Sequence, residues 1–572
     1  MILFLIYISG YAQNFNLKIS GNNKTENTII DSLNYIRKHS NIKSVINESN
    51  ITIEKLYKKG YLDIKTLENH KENDSTYTYK FSLGNKIKYT YIYTGRNNSF
   101  FDSSEIKNDT LIIPYEETEN YINQKIIDAE KQGFALNKIK LENIRRKNLI
   151  IYADLNFNSE KKRSVNSIII NYTNDNRKDY FPKGHLKQLN KKYISKTFNQ
   201  KTIKELYEDI NNFGFINQAK YPEILFTNDS TKVYIYIEKR KANTFDGYIG
   251  FSNDEDKKLN LNGYLDITLQ NTIKAGEQFS LYWKSDGNQQ KTFNTKLEIP
   301  YIFKSPLGIK AQLNIFKQDS TFQNTKTAID LGYYINYNSK IYLGYQSTES
   351  SDIQNTNNTS ISDFKNSFIT STFDYIKTDA VNYLQARKAN VNLVIGLGKR
   401  NTNNQPETLP SSNQFYTNLN FSYNFKLNEK NFININSQNF YLKSKNYIVN
   451  ELFRFGGLYS IRGFSENSLQ ANLFSSILTE YRYIVSKNLY INSILDYGIY
   501  QDLTRITNKN NVEKLTGIGM GLNIQTANGI LKINLTNGAS ENQKAKLYNS
   551  IINICYNVKF WCLSKKDFYL LG

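Results

Sequence analysis

From Thr417 to Leu427 the chain alternates without a break. Thr417, Leu419, Phe421, Tyr423, Phe425 and Leu427 fall on one side, Asn418, Asn420, Ser422, Asn424 and Lys426 on the other. Successive side chains of a strand point to opposite faces, so this segment has an apolar, aromatic face and a polar one. The pattern recurs in Phe279, Leu281 and Trp283 against Ser280, Tyr282 and Lys284, and in Ile309, Ala311, Leu313 and Ile315 against Lys310, Gln312 and Asn314. Helical periods are lost from roughly Phe245 to Phe560. Segments of about ten residues with this alternation, rich in Tyr and Phe near their ends, are the mark of a transmembrane β-barrel with lipid outside and polar groups within. At about 20 residues per strand and connection, the region has room for about 16 antiparallel strands. The barrel must close, because lipid cannot satisfy an open sheet edge.

The N-terminal part has a different rhythm. A helical stretch, an aromatic turn and an alternating strand occur three times, with turns KKGYLD at Gly60, KQGFAL at Gly133 and NFGFIN at Gly214. Spacings of 73 and 81 residues point to a repeated module. Each glycine is expected at a left-handed helix end, which it occupies without steric cost. Helices are predicted over Ile51–Lys59, Glu116–Lys131 and Thr202–Asn212. The strands that follow present Tyr77, Tyr79, Phe81 and Leu83, then Ile151, Ala153, Leu155 and Phe157, then Val233, Ile235 and Ile237 to a core. Each module reads as a small α+β unit ordered strand, helix, helix, strand, strand. The predicted boundaries are 13–85, 86–164 and 165–242, with the barrel over 243–560 and a tail over 561–572.

Chemistry-bearing motifs are missing. Cys555 and Cys562 are the only cysteines, and His39, His70 and His185 lie far apart, so no disulfide framework and no metal-ligand spacing exists. There is no G-x-S-x-G elbow, P-loop or H-E-x-x-H, so neither an enzyme nor a cofactor or metal is expected. The net charge of +21 is spread among Asn, Ile and Tyr without a long basic block, so no nucleic-acid partner is expected. The opening MILFLIYISGYAQ is too short to span a membrane as a helix. Gly10 and Ala12 precede a plausible cleavage site at Gln13, so residues 1–12 read as a secretory signal. No Lys or Arg precedes its apolar part, so the true start is expected upstream of Met1.

Near the C-terminus, FRFGGLYSIRGFSENSL spans Phe453–Leu469, Gly-dense with an arginine in the middle. It resembles the inward-folded loop of the BamA/TamA superfamily of outer-membrane insertases, whose tip reads V/I-R-G-F/Y. Here the tip is Ile461, Arg462, Gly463 and Phe464, after the family-like FGG at Phe455–Gly457. TEYRY at Thr479–Tyr483 and LDYGIY at Leu495–Tyr500 are similar to the family's next two strands. Parity agrees independently: with Tyr481 and Tyr483 on lipid, Glu480 and Arg482 face the lumen, and Asp496 pairs likewise with Gly498. An enclosed guanidinium needs carboxylates, so Glu480 and Asp496 are the expected partners of Arg462, and Gly498 leaves room for the tip.

The resemblance extends along most of the chain. The three modules look like POTRA domains, and Phe245–Phe251, LNGYLDITLQN and IPYIFKSPLG are similar to the family's early barrel strands. Three modules and this length look more like TamA than BamA, whose usual complement is five. The last strand, with Ile552, Ile554, Tyr556, Val558 and Phe560 on one face, resembles the aromatic terminal strand of outer-membrane barrels, although a tail follows it. The resemblance implies an outer-membrane assembly factor of a Gram-negative bacterium, with its POTRA-like domains in the periplasm. Its seam would lie between the first strand (Phe245, Tyr248, Ile249) and the last. Implied partners are unfolded outer-membrane protein clients, outer-membrane lipids and a periplasm-spanning TamB-like protein. The alternatives are a two-partner secretion transporter and lipid transport to the outer membrane.

Overall fold

The computed structural model describes residues 14–95, 106–107, 109–158, 160–173, 180–253, 259–286, 290–354, 361–378, 387–401, 411–505, 512–526, 529–541 and 544–560. Residues 1–12, expected from the sequence to be a secretory signal, and the tail 561–572, with Cys562, lie outside them. The chain forms two compact units, one of residues 1–165 with 195–203, the other of 166–194 with 204–572.

The first unit holds two α+β modules. In the first, Phe15–Gly21 pairs in parallel with Thr76–Ser82, with Leu17 opposite Tyr77. Parallel neighbours need a crossover, and the helices Lys24–Asp31 and Ile42–Lys58 provide it. The second helix starts earlier than predicted because Asn41 caps it, its side chain accepting from the Ser44 N–H at 2.8 Å. It ends at a left-handed Gly60 with φ +96°, and Tyr61 N–H returns to the Leu56 carbonyl at 3.1 Å. Leu17, Ile19, Ile30, Val45, Leu56, Tyr79, Phe81 and Leu83 form the core. Each fully buried side chain of this size contributes about 1.5–3 kcal/mol.

The second module repeats the parallel pair with Tyr89–Tyr93 beside Ile150–Asn158, and Gly133 repeats the helix end at φ +101°. It departs from the predicted order. Among the described residues, the strands Ile106–Lys107 and Thr110–Pro114 precede its helix Tyr115–Lys131 where a first helix was expected. The segment Ser195–Ile203, predicted to belong with the third module, joins this unit, with Phe198 N–H on the Arg163 carbonyl at 2.9 Å.

The second unit begins with the third parallel pair, Ser167–Tyr172 beside Thr231–Lys239, which buries Val233, Ile235 and Ile237 completely. Gly214 is not left-handed, against expectation. It is instead a close-approach position, where a Cβ would lie 2.8 Å from Oε1 of Gln270.

Sixteen antiparallel strands then close into a barrel, from Asn243–Asn253 to Ile551–Phe560. IPYIFKSPLG, which resembles an early strand, is largely a turn. Tyr301, Phe303 and Lys304 have φ of +54°, +53° and +56°, and strand structure resumes only at Leu307. Outward residues such as Ile329, Leu343, Ile369, Leu397, Leu495 and Met520 are exposed and form an apolar belt suited to lipid. Inward residues are polar and linked. Glu298 accepts from Tyr334 at 2.8 Å and Tyr342 at 3.0 Å, and Lys310 sits 3.6 Å from Asp330. No described helix is long and apolar enough to cross a membrane.

Candidate functional site: the lumenal loop and the seam

Between the eleventh barrel strand, Asn431–Lys443, and the twelfth, Leu473–Ser486, the chain turns into the lumen. A small hairpin, Phe453–Phe455 against Leu469–Ala471, forms the neck of this loop. Phe455 stacks on Phe474 of the barrel wall at 4.1 Å between ring centroids and meets Tyr500 edge-on at 5.3 Å. Ile461 and Phe464 are buried in the same cluster with Leu478 and Leu515. The apolar residues either side of Arg462 thus fix the tip before any charge is considered.

Arg462 is 4% exposed. Its Nε donates to Oδ2 of Asp496 at 2.7 Å and its Nη2 to Oδ1 at 2.5 Å, a bidentate fork. Its Nη1 donates to Oε1 of Glu480 at 2.5 Å, and its backbone N–H also reaches Asp496 Oδ2 at 3.1 Å. Asp496 is fully buried. Glu480 is held in turn by Arg482, whose Nε donates to Oε2 at 2.8 Å. Tyr481, Tyr483, Leu495 and Tyr497 point outward, so the parity read from the sequence is that of the structure. A buried cation with two carboxylates and a neighbouring arginine is a fixed electrostatic clasp. Nothing in it offers a nucleophile or an open ligand position. Among the described residues, no cluster of His, Cys, Asp and Glu could hold a metal ion.

Gly463 takes φ +88°, which turns the backbone immediately after the arginine. Gly498 stands where the tip approaches, since a Cβ there would lie 3.0 Å from Cδ1 of Ile461. Two glycines that the sequence did not single out are tighter. A Cβ on Gly517 would lie 2.4 Å from the Arg462 carbonyl oxygen, and one on Gly538 would lie 2.5 Å from that of Gly463. For Gly517 the signal was the alternating run Gly517, Gly519, Gly521 inside a strand, where glycine is disfavoured unless another backbone comes close; Gly538, on the next strand, had no such run.

The loop is also fixed at its root, by residues not foreseen. Arg400 and Glu451 form a buried ion pair, and Arg400 Nη1 also donates to the Asn446 carbonyl at 3.1 Å. Asn450 donates to Ser350 Oγ at 2.7 Å and to the Ser362 carbonyl at 2.8 Å.

At the barrel closure, the register partners of the first and last strands among the described residues are Asn243–Phe560, Thr244–Lys559 and Phe245–Val558. With the second strand it pairs along its whole length, from Thr244–Thr268 to Asn253–Leu259. Phe245, Ile552, Ile554 and Tyr556 are exposed on the outer face, and Val558 is half-buried opposite Phe245. Tyr248, Ile249 and Phe560 are in strand conformation, but their side chains lie outside the described residues.

No protein-family profile and no curated protein matches the sequence. Solved structures do match. CdiB from Acinetobacter baumannii aligns with a TM-score of 0.50 at 14% identity, covering 96% of this chain and 91% of that one. The chain therefore shares the fold of CdiB. CdiB from Escherichia coli aligns at 0.48 and 11% identity, over 91% of this chain and 98% of that one. BamA from Haemophilus ducreyi lacking POTRA domains 1–3 aligns at 0.44 and 15%, over 82% and 98%. That shared fold, here a 16-stranded barrel preceded by α+β domains, extends over nearly the whole chain.

Proposed function

We propose that the chain is an outer-membrane assembly factor of a Gram-negative bacterium, inserting β-barrel or autotransporter-type clients through a lateral seam between its first and last barrel strands. The observation that carries this reading is the short closure. Beyond Phe245–Val558 the first strand has no register partner in the last strand among the described residues. A row of free N–H and C=O groups at a sheet edge is a template for an added strand. Client strands pair there before release into the lipid.

The N-terminal modules lie in the periplasm and receive unfolded clients. The first two expose long edge strands, Lys65–Asn73 and Lys138–Lys147, that can accept an extended segment. The Arg462 clasp braces the lumen while the seam loosens. Outer-membrane lipids surround the belt, and a periplasm-spanning TamB-like protein is a compatible partner. The chain is read as a non-enzymatic machine with no cofactor.

The test is depletion of the protein with mass-spectrometric quantification of every outer-membrane and secreted protein. Loss of several barrel proteins from the membrane is the expected result. Loss of one secreted protein alone would replace the reading with a dedicated secretion transporter. If neither set changes, lipid transport takes its place.

A further inference from the structure

The contacts of the loop continue past its tip. Glu466 forms an ion pair with Lys284 and accepts from the Tyr282 hydroxyl at 3.4 Å. Lys284 and Tyr282 stand on the third barrel strand, Gln278–Asp286. Glu480, Asp496, Gly517 and Gly538 stand on the twelfth to fifteenth strands. Around the closed barrel, the sixteenth, first and second strands lie between these two groups. One short segment, Arg462 to Glu466, therefore reaches inside the lumen from one side of the seam to the other. Four residues span at most about 14 Å when fully extended, which bounds how far the two anchored ends can part while both contacts hold.

Its two ends are unequal. Arg462 and Asp496 are 4% and 0% exposed, whereas the side chains of Lys284 and Glu466 are 37% and 36% exposed. Parting the first pair strands a buried charge. Parting the second releases two groups that water can solvate as they separate.

We propose that the Glu466–Lys284 contact is the releasable end of an internal strap across the seam, with Arg462 on Asp496 as its fixed end. The third strand cannot move beyond the reach of this segment from the twelfth to fifteenth strands until Glu466 lets go. Seam width is thereby set by a single half-exposed ion pair on the lumen side. This inference rests on the seam reading above.

The test uses the full chain in proteoliposomes, in a Cys555→Ser, Cys562→Ser background, supplied with a urea-unfolded outer-membrane barrel protein. Lys284→Cys with Glu466→Cys is joined by a bis-thiosulfonate cross-linker, which reductant releases. Phe245→Cys with Val558→Cys, a directly opposed pair, forms a disulfide that locks the seam itself. Both locks are expected to stop client assembly, and reductant to restore it. Assembly that survives the strap lock but not the seam lock overturns the strap and leaves the seam reading standing. Assembly that survives both overturns the seam reading as well. In planar bilayers, Lys284→Gln is expected to raise the frequency of large conductance openings about three-fold. Lys284→Glu combined with Glu466→Lys should restore the basal frequency, and an unchanged frequency in Lys284→Gln also overturns the strap.

Discussion

Asp496 and Gly517 face each other across adjacent strands, and together they hold both ends of one residue. The carboxylate of Asp496 takes the guanidinium and backbone N–H of Arg462, while the missing side chain of Gly517 makes room for its carbonyl. The side chain cannot relax along the lumen without the backbone leaving its slot, and the backbone cannot shift without breaking the fork. This double constraint makes the tip a fixed point against the barrel wall.

Replacing Arg462 with Ala should therefore do more than remove a charge. It leaves Asp496 buried without its partner, at a cost of about 3–5 kcal/mol. The expected result is a lower urea midpoint of the folded barrel, read by its heat-modifiable gel mobility, together with reduced client assembly. Arg462→Lys should recover only part of both, because an ammonium cannot make the bidentate fork. Wild-type stability and assembly in Arg462→Ala would remove the clasp from the mechanism.

The glycines predict a graded series. Gly517→Ala and Gly538→Ala place a methyl against loop backbone at 2.4 and 2.5 Å, so the tip itself must move. Overpacking of this kind costs about 1–3 kcal/mol and should reduce assembly as Arg462→Ala does. Gly498→Ala meets only the flexible end of Ile461 at 3.0 Å and should be milder. Equal effects at all three positions would show that strand propensity, and not the loop, is being measured.

The parts of this site that were legible in the sequence share a physical cause. Glu480 and Asp496 could be placed because a strand between lipid and lumen has two faces of opposite polarity, so one aromatic residue fixes the direction of every neighbour. The sixteen strands followed from the same alternation. Gly517 and Gly538 were not legible, because a glycine in a strand can mark a bulge, a bend or a close approach. The Glu466–Lys284 and Arg400–Glu451 pairs cross the lumen between strands far apart in sequence, with no spacing to reveal them. The second module misled for a local reason. Its Gly133 turn and final strand match those of its neighbours, while the described strands between Tyr93 and its helix carry no repeat signal.

His185 gives a pH dependence. It is fully buried against Phe181, Phe213, Tyr301 and Tyr337, where a third-module helix meets the barrel turns, and burial, reinforced by Lys340, pushes its pKa down to about 3. The folded state therefore refuses a proton that the unfolded chain accepts below about 6.5. Stability is complete above that value and is lost as pH falls from it toward 3, by about 2 kcal/mol at about pH 5. The thermal midpoint in detergent should fall on acidification, and His185→Phe and His185→Gln should flatten that fall. A slope unchanged in both variants would assign the acid sensitivity elsewhere.

The root of the loop offers a double-mutant cycle. Arg400 and Glu451 are 0% and 2% exposed, and Glu451 also accepts from Gln414. Removing one partner leaves the other buried and uncompensated, so Arg400→Met and Glu451→Leu should each destabilise the barrel by about 3–5 kcal/mol. The two changes together leave no buried charge and fill similar volume. The double variant should then be more stable than either single one, with a coupling of at least about 1 kcal/mol. Client assembly separates stability from positioning. If the pair only supports the fold, the double variant regains assembly along with stability. If it sets where the loop enters the lumen, stability returns while assembly stays low, because Asn446 loses its donor and the path toward Arg462 shifts. The neighbouring bonds of Asn450 to Ser350 and Ser362 keep the root in place without Arg400, so recovery of both is the expected outcome. Additive losses in the double variant would mean that the two residues do not act on each other.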